Sequence, residues 1–275
     1  MALFFALSGY VYALPGKEIA NKHDYSMLLK RKTKTLMIPY YIVGIITILI
    51  KIPFSGSIAN GYSWINVILL PIKPVEQLWF LYVLFLCFCI KGFLEWKKLN
   101  GITIPILMLL LGTVISLYGG STINDWGVLI INFLIYYIYF YAGNWVCENK
   151  KEINVNVFAF AIAAFVTMSA WIHIIEMNEI AVKFLRILLA FLGTIIVFFL
   201  SSKVKMISNC LWLSSIGRYS MIIYLIHPIL CSVMRRGMYM VGIDNFAIHI
   251  ILGTILGIIL PMLFSILYKR LLNKG

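Results

Sequence analysis

Eight runs of sixteen or more mostly apolar residues dominate this chain, at 36–52, 78–94, 102–118, 126–146, 155–175, 181–200, 219–234 and 246–268. Each approaches the roughly 20 residues that a helix needs to cross a hydrocarbon core about 30 Å thick. Lipid offers the backbone no water to bond, so a spanning segment must close its hydrogen bonds internally, and runs of this length read as helices. Composition agrees: 62% of the residues are hydrophobic, 12% are charged and the mean hydropathy is +0.96. A soluble domain carries about twice that charge. The expected fold is all-α, a polytopic transmembrane helix bundle of about eight full spans plus a short N-terminal apolar helix. No internal repeat or linker interrupts it, so 1–275 reads as a single membrane-embedded domain. The run 64–70, between Gly61 and Pro71, reads as an interfacial or re-entrant piece, and the longest polar stretch, 15–35, as a basic loop between two spans.

The net charge of +13 has to be placed. In so apolar a chain, a basic excess marks cytoplasmic loops facing anionic lipid and argues against nucleic acid as a partner. With 15–35 inside and the spans alternating, 17 Lys and Arg fall on the inside, Lys91 among them, and 6 on the outside. The chain is therefore expected in the cell (plasma) membrane, multi-pass, with its basic loops cytoplasmic. That orientation makes the first apolar stretch, Ala2–Leu14, run from outside to inside. Its thirteen residues cover only about 20 Å. No Lys or Arg precedes Lys17, so the basic front of a signal peptide is missing. The stretch reads as a helix that follows another helix, and at least one upstream span is expected to be absent from this chain.

Few polar groups fall inside the spans. All ten Asp and Glu lie in loops or at span ends, which speaks against paired-carboxylate chemistry within the membrane and against proton coupling through a buried acid. The five cysteines lack the spacing of a zinc site, so neither a disulfide nor a metal is expected. His227 stands out. Ser220, Tyr224, His227 and Cys231 follow one another at i, i+4, i+7 and i+11 and share one helix face. Pro228 comes next and removes a hydrogen bond to the Tyr224 carbonyl. The stripe is either the wall of a site or a packed histidine bonded to a neighbouring helix, and the residues leave both open. His173 with Trp171, and Trp79 with Tyr82, read as interfacial anchors. Asn132, Asn144, Tyr136, Tyr137, Tyr139 and Tyr141 make one span rich in hydrogen-bonding groups, suited equally to helix contact and to a substrate groove. The run Lys30-Arg31-Lys32-Thr33-Lys34 is either a topology signal or, beside a helix start, a phosphate site.

Several stretches together resemble the integral-membrane acyltransferase 3 family, and within it the fucose-4-O-acetylase-like branch. LFFALSGYVY (Leu3–Tyr12) resembles that family's second helix, and LLKRKTKTLMIPYY (Leu28–Tyr41) its basic loop and Pro-containing helix start. QLWFLYVLFL (Gln77–Leu86) and FYAGNWV (Phe140–Val146) are similar to two further spans. IGRYSMIIYLIHPIL (Ile216–Leu230) carries the family's Gly, Ser and Tyr-Leu-Ile-His in order. The resemblance implies a ten-helix bundle of which this chain lacks the first helix, the one that bears an important family histidine. The four histidines present do not match that position.

The resemblance also implies a reaction: transfer of an acetyl (acyl) group from acetyl-CoA, a donor substrate rather than a resident cofactor, to a hydroxyl of a surface or lipid-linked carbohydrate. Lys30, Arg31, Lys32 and Lys34 would hold the CoA phosphates. The family's Arg-x-x-Arg is here Arg31-x-x-Lys34, and Lys supplies charge without the planar fork of Arg. His227 and Tyr224 would line the transfer cavity, and the resemblance leaves open whether the chain acts without that first helix, is inactive, or needs a partner to supply it. The competing expectations are a polytopic transporter or flippase for a lipid-linked sugar, and a noncatalytic membrane partner in glycan assembly.

Overall fold

The computed structural model describes residues 1–16, 19–53, 62–99, 101–119, 124–149, 154–174, 178–203 and 211–272. Every regular element among them is helical: α1 (Ala2–Ala13), α2 (Lys22–Lys32), α3 (Ile38–Lys51), α4 (Trp64–Leu69), α5 (Trp79–Trp96), α6 (Thr103–Tyr118), α7 (Asp125–Glu148), α8 (Val155–Ile174), α9 (Glu179–Lys203), α10 (Leu211–Met240) and α11 (Phe246–Leu272). Seven helical segments are long and apolar enough to cross a membrane, and α1 and α6 are shorter apolar helices. The all-α polytopic bundle expected from the apolar runs is therefore what forms. Its α6, with 16 residues, reaches about 24 Å and is one turn short of a full span.

The stretch 15–35 is not the loop that its polarity suggested. Asn21 caps α2: its side-chain oxygen accepts from the Asp24 N–H at 2.9 Å, and Asp24 complements the helix dipole. Lys, Leu, Met and Arg, which follow, all favour helix. The chain then passes through a π-helical turn, Thr33–Met37, directly into α3. Pro39 accounts for that turn. It cannot donate to the Thr35 carbonyl, and its ring would strike that carbonyl in a regular α-helix, so the preceding turn widens.

The chain divides into two compact units, Met1–Ile48 with Phe54–Lys203, and Leu49–Pro53 with Val204–Gly275. In the first unit α1 packs backbone to backbone on α7. A β-carbon on Gly9 would overlap the Phe140 carbonyl, and one on Gly143 would overlap that of Ala6. Around this crossing Phe5, fully buried, stacks on Tyr136 with centroids 4.9 Å apart and meets the edge of Phe80 at 4.9 Å. Phe88 and Phe140 join α5 to α7 at 5.0 Å. Two tyrosines bring their hydroxyls to carbonyls across the unit: Tyr40 donates to Leu70 (2.5 Å) and Tyr139 to Ile187 (2.8 Å). The short α4 leaves Trp64, Ile65 and Ile68 exposed, as suits an interfacial piece.

The second unit is built on α10 and α11. Gly253 and Gly257 of α11, four apart, face α10, and a β-carbon on Gly257 would lie 3.3 Å from Cys231 Sγ and 3.5 Å from His227 Cβ. Small residues at that spacing let two membrane helices approach closely. Gly242, at φ +77°, ends α10: its own N–H reaches the Tyr239 carbonyl and that of Ile243 reaches Met238, the 5→2 and 6→1 bonds of a Schellman cap.

Candidate functional site

Two constellations carry the residues singled out in the sequence, one in each unit. In the first unit the basic run lies within a continuous helical segment. The first helical residue, Lys22, comes eight positions before Lys30, so the N–H groups of 30–34 are not those of a helix start. The expected dipole contribution is lost, and any anion site here is made by side-chain charge alone. Lys30, Arg31 and Lys34 are exposed, whereas Lys32 is half-buried. Its Nζ lies 3.4 Å from the centre of the Phe88 ring, a cation–π contact that holds the ammonium against α5. Lys30, Arg31 and Lys34 remain for a solvent-borne anion, with Arg31 three positions and Lys30 four positions from Lys34. Residues so spaced are neighbours on a helix surface.

The packing of α2 on α5 sets what lies beside them. A β-carbon on Gly92 would touch Leu28, Ile19 and Tyr25, and Tyr25 stacks on Trp96 at 5.8 Å. On the same half of α5 sits a buried ion pair that the sequence reading missed. Lys91 Nζ lies 3.2 Å from Glu95 Oε1, with both side chains at most 5% exposed. The second carboxylate oxygen, Oε2, accepts from the Tyr12 hydroxyl at 2.7 Å. Lys91, counted above as a loop cation, is thus a buried helix residue whose charge is already met. The signal was there, in a Lys and a Glu four apart at the edge of an apolar run. Nearby on α7, the Tyr137 hydroxyl and both polar side-chain atoms of Asn144 are buried without a hydrogen-bond partner among the described residues.

In the second unit two members of the polar stripe of α10, His227 and Cys231, meet α11. Cys231 Sγ donates to the Gly253 carbonyl (3.5 Å) and His227 packs by Gly257. Among the described residues the histidine makes no hydrogen bond to the neighbouring helix. Its Nδ1 lies 2.9 Å from the Ile223 carbonyl of its own helix. A carbonyl only accepts, so Nδ1 carries the proton, and in the neutral ring Nε2 keeps a lone pair able to take another. Tyr224 stands alongside with ring centroids 6.2 Å apart. His249 Nε2 lies 2.8 Å from the Ile243 carbonyl and its Nδ1 is buried without a partner among the described residues, while the exposed His23 lies 4.0 Å from Asp24. The side chain of His173 lies outside the described residues.

No curated protein and no solved structure matches this chain. The family model for the acyltransferase domain of the acyltransferase 3 type matches residues 1–266. With that match running through all eleven helices, from α1 well into α11, this multi-pass membrane protein belongs to the acyltransferase 3 family of membrane acyltransferases.

Proposed function

We propose that the chain transfers an acetyl group from acetyl-CoA to a hydroxyl of a surface or lipid-linked carbohydrate at the plasma membrane. The observation that supports this most directly is the exposed trio Lys30, Arg31 and Lys34 at the junction of a polar helix and an apolar span. CoA brings several phosphate charges, and a cationic cluster without a carboxylate beside it in sequence suits them. On this reading the trio lies on the cytoplasmic side, where acyl-CoA is available. The acceptor hydroxyl attacks the thioester carbonyl, its proton passes to a base, the C–S bond breaks, an ester C–O bond forms, and CoA leaves as the thiol. His227, whose Nε2 has no hydrogen-bond partner among the described residues, has the chemistry for proton handling or a hydrogen bond to the acceptor. Tyr224 is proposed as its neighbour in that role.

The test is release of free CoA thiol from acetyl-CoA by membranes holding the full chain, with native glycolipid extract as acceptor. Arg31→Gln with Lys34→Gln is expected to raise the KM for acetyl-CoA about tenfold or more at little cost in kcat, as for lost ground-state contacts to phosphate. His227→Ala is expected to lower kcat about 10²–10⁴-fold with the donor KM unchanged. Unchanged kinetics in both variants would remove the assigned roles. Movement of a lipid-linked sugar without consumption of acetyl-CoA would replace the proposal by a transporter.

A further inference from the structure

A cavity of about 580 Å³ opens between α6, α7 and α9 of the first unit. It is of the size of a small-ligand site and holds none of the residues discussed above as candidates for donor binding or proton transfer. Its walls are chiefly apolar, with Leu117, Ile135, Ile180, Phe184 and Ile187 among them. Along α9, positions 180, 183, 184 and 187 fall at i, i+3, i+4 and i+7 and turn one face to it. Two cations belong to that lining, Lys183 and Arg186, and no Asp or Glu does among the described residues. Asn132 and Tyr136, from the first half of α7, add hydrogen-bonding groups.

The cations differ in what holds them. Lys183 Nζ donates to the Ser116 carbonyl at 3.3 Å, in the last turn of α6, where carbonyls lack helical partners and a positive charge is favoured. One of its three donors is used there and two remain. Arg186 is exposed and forms no ion pair among the described residues. Between and beside them Ile180 and Phe184 are 51% and 59% exposed. A soluble anion would gain nothing from that apolar surface. An amphiphile gains from both parts, with its phosphate at Lys183 and Arg186 and its chain along α9.

We infer that this cavity binds a phosphate-headed lipid. The inference rests on the proposed function only in taking that lipid to carry the acceptor sugar. An ordinary anionic phospholipid presents the same chemistry, and the test separates the two.

The full chain is placed in phosphatidylcholine nanodiscs, and lipid adducts are measured by native mass spectrometry without acyl-CoA. The probes are a polyprenyl phosphate, the matching uncharged polyprenol, and phosphatidylglycerol. Polyprenyl phosphate is expected to bind at least about tenfold more tightly than polyprenol, from charge-assisted contacts to phosphate. Arg186→Gln, which leaves the Lys183 bond to α6 in place, is expected to cancel most of that preference. Ala181→Trp, which fills the cavity from its wall, is expected to lower binding of the phosphate and the alcohol alike. Lys97→Gln with Lys98→Gln, at the far end of α5, is expected to change nothing. A preference for polyprenyl phosphate over phosphatidylglycerol identifies a carrier lipid, and equal binding identifies a bulk headgroup. Polyprenol binding as tightly as its phosphate, or wild-type binding by both cavity variants, overturns the inference. Because the readout needs no acyl transfer, loss of the proposed activity and loss of this site are separately visible.

Discussion

Gly143→Leu is expected to give a protein that cannot close its α1–α7 contact. A β-carbon at this position overlaps the Ala6 carbonyl, which is backbone and cannot swing away as a flexible side chain would. The two helices must separate, and Phe5, Tyr136, Phe80 and Phe140 lose their packing with them. Overpacking of a core typically costs about 1–3 kcal/mol and occasionally more, and a backbone clash puts this change at about 3 kcal/mol or above. The measurement is the thermal midpoint of the purified protein in detergent, followed by size-exclusion fluorescence. Even Gly143→Ala is expected to lower it clearly, and Gly9→Ala, facing the Phe140 carbonyl, to do the same. The control is Gly217 in α10, where a β-carbon meets nothing within 4 Å. Alanine there is expected to be neutral or to stabilise by about 0.5–1 kcal/mol, through reduced chain entropy in a helix interior. Gly143→Leu with an unchanged midpoint would mean that α1 does not lie on α7 in this way.

Glu95→Leu carries the second large effect. It leaves the Lys91 ammonium in a site where its side chain is 3% exposed and its only ion-pair partner among the described residues has gone, and it also strips the Tyr12 hydroxyl of its acceptor. Breaking a buried pair by removing one member costs about 3–5 kcal/mol, because an uncompensated charge is left behind. Lys91→Met together with Glu95→Leu is expected to recover most of that loss, since a buried pair replaced by apolar groups of similar volume is often neutral. Tyr12→Phe is expected to cost about 1.5–3 kcal/mol, as for a hydrogen bond to a charged group. A double-mutant cycle on the same thermal measurement isolates the coupling between Lys91 and Glu95. Additive losses from the two single changes would show that the pair does not form.

The gross fold was legible because the apolar runs leave the backbone one local solution, and seven of the eight expected spans reach membrane-crossing length. The basic segment 22–32 was misread for a different reason. Charge made it look like a loop, while its residue types, an Asn cap and an early Asp were all helix signals. The candidate site was legible as a set of residue types and only partly as an arrangement. That Lys30, Arg31 and Lys34 stay exposed while Lys32 turns to Phe88 follows from α2 lying on α5, a pairing of segments some sixty residues apart. The cations of the α9 cavity, Lys183 and Arg186, lie in the sequence near the start of the apolar run 181–200. Nothing local says that α6 and α7 complete a pocket around them.

What the sequence determined by itself is the class of structure. Sixty-two per cent hydrophobic residues in runs of this length can be hidden only in lipid, and there the backbone closes on itself as helices. What tertiary structure decided is the meaning of individual charges and small residues. Lys91 is a topology signal until Glu95 and Tyr12 are seen around it, and Gly143 is an ordinary span-end glycine until the Ala6 carbonyl is found against it. The reason is physical: a helix forms from contacts within a few residues of one another, whereas the energy of a buried charge or of a missing side chain is set by whichever distant helix lies next to it.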